Sequence, residues 1–349
     1  MSEQRAIPTL EDVARAAGVS TATVSRCLNA PERVQQRTRL RVEKAIEQLG
    51  YTPNFAAQVM AAKRTHTIGA VIPTMENAIF ARGIQAFQEA LHASGYTLLI
   101  ASSAYRPEVE AEQIRQLVAR GADGLLLIGQ DRDEAVYRYL KRRNVPALIA
   151  WAYAEDSPLT CVGFDNHQAM RALAEQVLDL GHRRIAMISG ITDGNDRARQ
   201  RLYGVRAALA ASGLDPADLP VVETRYAIEC GGEAFDQLMA REPSPTAIMC
   251  GNDVLAVGAL KRARERNIRV PADVSITGFD DIELAQVIEP ALSTVHVPHR
   301  EMGRRAAEEL VALVEGKSDG GSIEVYPSIQ TRASLGQFPT AKLASNAIR

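Results

Sequence analysis

Residues 9–29, TLEDVARAAGVSTATVSRCLN, read as two short helices around a tight turn. Thr9 with Asp12 three places later is a capping-box pattern, and Leu10, Val13, Ala14 and Ala17 fall on one helical face. Gly18 supplies the turn that ends the first helix. Ser20, again with Thr23 three later, caps a second helix through Leu28. Its inner face is Val24 and Leu28, and its outer face shows Thr21, Ala22, Ser25 and Arg26 before Asn29 and Pro31 stop it. A third helix from about Thr38 to Leu49 buries Val42, Ala45, Ile46 and Leu49 and ends at Gly50.

Two helices joined by a glycine turn, the second with small polar residues outward, is the helix-turn-helix arrangement. A helix lying in a major groove about 12 Å wide needs a slim leading face. Thr and Ala suit thymine methyls, and Arg26 can pair with guanine through two hydrogen bonds. The competing reading is a surface helix of a small bundle.

Charge separates this front segment from the remainder. The chain carries a net charge of -2, yet residues 1–66 come to +4 and the rest to -6. Only the front suits a polyanion. The N-terminus has no apolar core of signal-peptide length and no window spans a membrane, so a cytoplasmic protein with no membrane partner is expected. Cys27, Cys161, Cys230 and Cys250 are too scattered for a zinc or disulfide framework.

From Thr67 onward, apolar runs (TIGAVIP, YTLLIAS, DGLLLIG, VPALIAW) alternate with amphipathic helices, and the alternation restarts at RRIAMISG. Continuous apolar strands between helices indicate parallel sheets covered on both faces, and the restart indicates two doubly wound lobes. Ligands bind such sheets beyond the carboxyl ends of the strands, here in the crevice between lobes. That rule selects Asn77 and Phe80, Trp151, Asp165, Arg197 and Arg201, Asn252 and Asp253, and Asp280, with Asp281 assigned to solvent. For Trp151 the alternative is a core residue at a domain edge, and for Asn252 and Asp253 a helix cap. Arg197 and Arg201, four apart, share a helix face and favour a carboxylated or phosphorylated ligand over a neutral hexose.

Residues 9–29, followed by Val34, Thr38, LGYTPN at 49–54 and Ala57, resemble the DNA-binding headpiece of the LacI/GalR family of bacterial repressors. Later motifs extend the resemblance to about residue 338. It implies an all-α helix-turn-helix headpiece (1–50), a hinge helix (51–66) and a two-lobed α/β body like the periplasmic sugar-binding proteins (67–338). The first lobe would span about 67–164 and 291–325 and the second 165–290 and 326–338, with crossings near Asp165, Glu289 and Tyr326 and a frayed tail at 339–349. By resemblance Thr21 and Ala22 read bases, while Thr9, Leu10, Ser20, Thr23, Ser25, Arg26, Asn29, Thr38, Asn54 and Ala57 match DNA-contacting positions. Met60 takes the place of the hinge leucine that wedges the minor groove, a role methionine can fill, and Gln58 stands where many members have arginine. Arg201 with Gly204 matches an effector-contacting R-x-x-G, and Asp280 the aspartate that takes ligand hydroxyls. PTMENAIFA, YRPEVE and VGFDN resemble the gluconate-repressor branch, which makes a sugar acid the preferred effector.

No GxGxxG after a strand, P-loop, GxSxG or HExxH is present. His66, His92, His167, His182, His296 and His299 are scattered and read as helix caps or surface positions. The expected protein is a regulator with no cofactor or metal, a homodimer on a palindromic operator. The competing class is a sugar-binding or sugar-modifying α/β protein with an accessory N-terminal domain.

Overall fold

In a computed structural model, residues 8–52, 64–76 and 78–338 are described, and the chain divides into units of residues 1–65 and 66–349. The first unit is built from local signals. Helix α1 (Leu10–Ala17) opens on a complete capping box: Asp12 N donates to Thr9 Oγ1 at 3.3 Å and Thr9 N to Asp12 Oδ2 at 3.0 Å. Gly18, at φ 61°, ends it in the left-handed region. Helix α2 (Thr21–Asn29) starts at Ser20, whose hydroxyl accepts from Thr23 N at 3.2 Å. Helix α3 (Gln36–Leu49) begins two residues before the expected Thr38. The core joins Val13, Ala14 and Ala17 to Val24, Val42, Ala45 and Tyr51, and also takes Cys27, so the inner face of α2 is wider than Val24 and Leu28 alone. Arg41 in α3 donates to the carbonyls of Ala17 and Gly18, bracing the turn before α2.

The second unit holds two six-stranded sheets. The first has the order β11-β5-β4-β3-β1-β2, made of β1 (Thr67–Ile72), β2 (Thr97–Ser102), β3 (Gly124–Ile128), β4 (Ala147–Ala150), β5 (Thr160–Gly163) and β11 (Ile323–Glu324), all parallel. The second has the order β12-β10-β9-β8-β6-β7, from β6 (Ile185–Gly190), β7 (Val221–Thr224), β8 (Ala247–Cys250), β9 (Ser275–Asp280), β10 (Ser293–His296) and β12 (Ser328–Gln330), with β12 antiparallel. Strands β1, β3 and β4 are buried throughout, as continuous apolar runs require when helices cover both faces. The edge strands are less covered, and β2 leaves Leu99 and Ile100 exposed.

The covering helices are α4 (Ala78–Ala93), α5 (Pro107–Ala119), α6 (Glu134–Arg143) and α12 (His299–Glu315) on the first lobe. The second carries α7 (Asn166–Asp179), α8 (Asp196–Ala211), α9 (Ile228–Met239), α10 (Asp253–Glu265) and the short α11 (Glu283–Val287). Helices α4 and α12 meet backbone to backbone: a Cβ on Gly303 would fall 2.0 Å from the Gly83 carbonyl oxygen, and one on Gly83 would strike the Trp151 ring at 2.4 Å.

One expected boundary is corrected. Strand β10 does not return to the first lobe after Glu289; it pairs with β9 and β12, and the second crossing falls at Val297–Pro298, just before α12. A four-residue apolar strand carries no mark of the sheet it joins. Here the Thr294 hydroxyl, bonded at 2.6 Å to Asp253 at the start of α10, ties it to the second lobe.

Candidate operator-reading helix and effector crevice

In the first unit Thr21 and Ala22 stand exposed as the first two residues of α2, with Arg26 exposed one turn later. Ser20 and Thr23 face each other with hydroxyls 2.9 Å apart, so both are engaged in starting the helix. Thr23, Ser25 and Thr38 are half-buried. Thr9 is the exposed cap of α1, whereas Leu10 packs on the core and has a structural role. Asn29 is the last residue of α2. Asn54, Ala57, Gln58 and Met60, with the expected hinge helix, lie outside the described residues, as do Asn77 and the tail.

The crevice between the two lobes of the second unit is organised by Arg201 on α8, which is 5% exposed. Its Nε donates to Asn166 Oδ1 at 2.8 Å and Nη1 to the Gly251 carbonyl at 2.7 Å, while Nη2 lies 3.5 Å from Asp280 Oδ1. The guanidinium stacks 3.7 Å above the Phe279 ring. Asp280, at the end of β9, is fully buried, and burial raises its carboxyl to about 6 despite the Arg201 charge. Its Oδ2 has no hydrogen-bond partner, and neither has the Nδ2 of buried Asn252. Both residues line a cavity with Phe80, Tyr105, Trp151, Asn195, Arg197, Arg201 and Tyr226.

That cavity holds only about 20 Å³, room for roughly one water, because the lobes are drawn together. Asp196 Oδ2 accepts from Gln130 N at 2.8 Å, Arg197 donates to the Ile128 carbonyl at 3.1 Å, and Arg199 pairs with Asp131 at 2.8 Å. Tyr105, beyond β2, meets Tyr226, beyond β7, with ring centroids 5.6 Å apart across the crevice. Burial pushes both phenols above their ordinary range.

Trp151 is buried rather than presented as an open face: Phe80 meets it edge-on at 5.4 Å, and its indole N–H donates to His299 Nδ1 at 3.1 Å. An indole can only donate, so Nδ1 accepts, and Nε2–H donates to the Asp280 carbonyl at 3.2 Å. Burial holds this neutral imidazole down to about 3. His299 therefore pins α12 of one lobe to β9 of the other, and neither it nor buried His182 is the surface or capping residue expected.

Three further expectations change. Asp253 does not reach the cavity: Oδ1 accepts from Thr294 and Oδ2 from Ile282 N at 2.8 Å, so both oxygens are spent within the second lobe. Asp165 caps α7 through Gln168 N at 3.0 Å and faces a separate groove of about 590 Å³. Asp281 is buried, paired with Arg332 at 2.7 Å and His296 at 2.9 Å, rather than solvated. Asn252 combines both of its readings, since Oδ1 caps α10 at Leu255 N (3.0 Å) while Nδ2 stays open to the cavity. Tyr105, Asn166, Asn195, Tyr226 and His299 join the crevice without having been selected from the sequence. The carboxyl-end rule, applied to edge strands β2 and β7 as well as to the central ones, would have found the two tyrosines.

Residues 9–54 match the bacterial regulatory proteins of the lacI family, and residues 174–335 the periplasmic binding protein-like domain. Over 311 residues the chain is 35% identical to the HTH-type transcriptional regulator GntR of Pseudomonas aeruginosa, covering 89% of this chain and 90% of that one. It is 32% identical to the HTH-type transcriptional repressor PurR of Photobacterium profundum, across 94% and 98% of the two chains. Among solved structures, the lac repressor dimer bound to operator and the anti-inducer ONPF superimposes with a TM-score of 0.85 at 28% identity, covering 95% of this chain and 100% of that one.

Proposed function

The chain belongs to the LacI family of bacterial regulatory proteins and is a DNA-binding transcriptional regulator rather than an enzyme; from there we propose that it is a homodimeric repressor whose grip on a palindromic operator is set by a sugar acid. Helix α2 of each protomer reads one half-site in the cytoplasm, Thr21 and Ala22 against base edges and Arg26 against a guanine, with Ser20, Thr23 and Thr38 on phosphates. Among the described residues no helix is long and apolar enough to cross a membrane.

One observation carries the effector reading: two buried polar atoms, Asp280 Oδ2 and Asn252 Nδ2, lack partners in one cavity beside Arg201. Buried polar groups are nearly always bonded, so an orphaned acceptor and an orphaned donor together fit a hydroxyl that donates to the first and accepts from the second. Arg197 and Arg201 supply cationic donors for a carboxylate at the other end of the same ligand. A sugar acid does not fit in about 20 Å³, so it enters as the lobes part, and its differential affinity for the two lobe arrangements moves the DNA equilibrium.

Two measurements test this. Aldonic acids should raise the melting temperature and shift operator affinity where the matching neutral aldoses do not; equal effects of both classes would refute the acid preference. Arg26→Ala should weaken operator binding by about 10–100-fold more than binding to random DNA, as expected for loss of a two-pronged base contact worth roughly 1–3 kcal/mol. Equal losses on both DNAs would leave Arg26 a positioning role only.

A further inference from the structure

The body carries more acid than base, and most of its cations are matched. Arg82, Arg171, Arg199, Arg262, Arg266, Arg269, Arg300 and Arg304, for example, each have a carboxylate within ion-pair distance. Among the exposed cations that have no ion pair within the described residues, four gather at one end of the first lobe. Arg120 closes α5, and Lys141, Arg142 and Arg143 close α6; all four are exposed, and none has an ion pair among the described residues. Helices α5 and α6 pack on the same face of the sheet, through Ile114, Leu117 and Val118 of one and Val136 and Leu140 of the other. Their C-termini therefore lie together, just ahead of β3 and β4. Register fixes which end of the sheet this is: Ile68 of β1 aligns with Gly124 of β3, and Leu125 of β3 with Ala147 of β4. The cations thus stand level with the first residues of β1, the end at which this unit begins.

A helix C-terminus welcomes one or two cations through its dipole. Four unmatched cations on two adjacent helix ends, in a unit of opposite net charge, exceed that need. We propose that Arg120, Lys141, Arg142 and Arg143 form a second DNA contact, binding backbone phosphates of the duplex flanking the operator. Guanidiniums grip phosphate oxygens in pairs, and each phosphate neutralised releases counterions, so the contact adds affinity and salt dependence without reading sequence. The proposal rests on operator binding by α2 but not on any detail of the base contacts.

The test compares the full chain with a Lys141→Ala/Arg142→Ala/Arg143→Ala variant on two duplexes, the operator alone and the operator extended by about two helical turns (~10.5 bp each) on both sides. On the extended duplex the variant should bind roughly tenfold or more weakly at low salt, with the slope of log affinity against log salt shallower by up to ~2.7, or ~0.9 per lost phosphate contact. On the short duplex it should match wild type. An Arg142→Lys/Arg143→Lys variant keeps the charge and should retain the steep slope. Identical slopes on the extended duplex would overturn the proposal, as they would if the patch served an acidic protein instead. So would equal losses on both duplexes. Failure of wild type to bind either duplex would strike at the operator reading itself.

Discussion

Helix α2 and the Arg201 crevice hold their functional groups in opposite ways. Thr21, Ala22 and Arg26 project into water from a helix whose geometry is set by its own cap and by Val24, Cys27 and Leu28 beneath it. Arg201, Asp280 and Asn252 are sealed away from water, and the Arg201 guanidinium is held by groups 35 to 79 residues distant, Asp280 among them. Exposed contacts give up little solvation until DNA arrives, so a short local motif suffices to present them. Buried charges are expensive unless matched, so Arg201 needs partners brought in from distant segments of the second lobe, and the atoms proposed to meet the ligand are also the ones that support the structure.

The contrast breaks most visibly at Arg201. Arg201→Ala should destabilise the body by roughly 3–5 kcal/mol, because Asn166 Oδ1 and the Gly251 carbonyl lose their donor and Asp280 its cation. Trp151, the one tryptophan, is buried in the body, so its fluorescence during denaturant unfolding reports this unit. Arg201→Lys should recover only part of the loss. A cost below about 1 kcal/mol for the alanine variant would mean the crevice is held elsewhere.

A smaller effect comes from pH. Asp280 titrates near 6 in the fold, above its ordinary range, so its protonated form favours folding and that contribution is lost as pH rises from about 4 to 6. His299 is depressed to about 3, so its contribution is present above about 6.5 and is lost as pH falls. Between pH 6 and 4 the two slopes, each about 1.4 kcal/mol per pH unit, oppose one another. Asp280→Asn removes one of them. Relative to wild type, the variant should lose on the order of 2–3 kcal/mol on going from pH 6 to 4, read by the same fluorescence; parallel curves would show that Asp280 is not held in its raised state.

The least costly break lies in α2. Ser20→Ala removes the hydroxyl that receives Thr23 N, which should cost about 1 kcal/mol and speed amide exchange in the first turn of α2 about fivefold, leaving the Trp151 signal unchanged. An unchanged exchange rate would show that Arg41 alone holds the turn.

This gradient also explains what the sequence disclosed. The headpiece elements were legible because each is signalled within four residues, as Thr9 to Asp12 and Ser20 to Thr23 show, though Cys27 in the core went unread. The strand pattern disclosed two lobes but not the sheet to which β10 belongs. In the crevice, Arg201 and Asp280 were found by helix spacing and resemblance, whereas their surroundings depend on partners far along the chain. Trp151 and His299 are 148 residues apart, and nothing near either marks the bond. Asp253, Asp165 and Asp281 could be drawn as ligand or solvent contacts in sequence because a carboxylate's availability depends on how many donors the fold aims at it.

The contact between Gly83 and Gly303 bears on how far a small event in the crevice can travel. Two helices seated backbone against backbone have no side-chain layer in which to slip, so α4 and α12 turn as one rigid beam. His299 sits at one end of that beam, and Trp151 bears on its middle at Gly83. A helix of 16 residues is about 24 Å long, so a tilt of roughly 5° around Trp151 sweeps a helix tip through about 1 Å, and a tilt about His299 through about 2 Å. Under the proposed effector reading, leverage of this kind turns the entry of a few ligand atoms into a displacement on the scale at which packed interfaces change register.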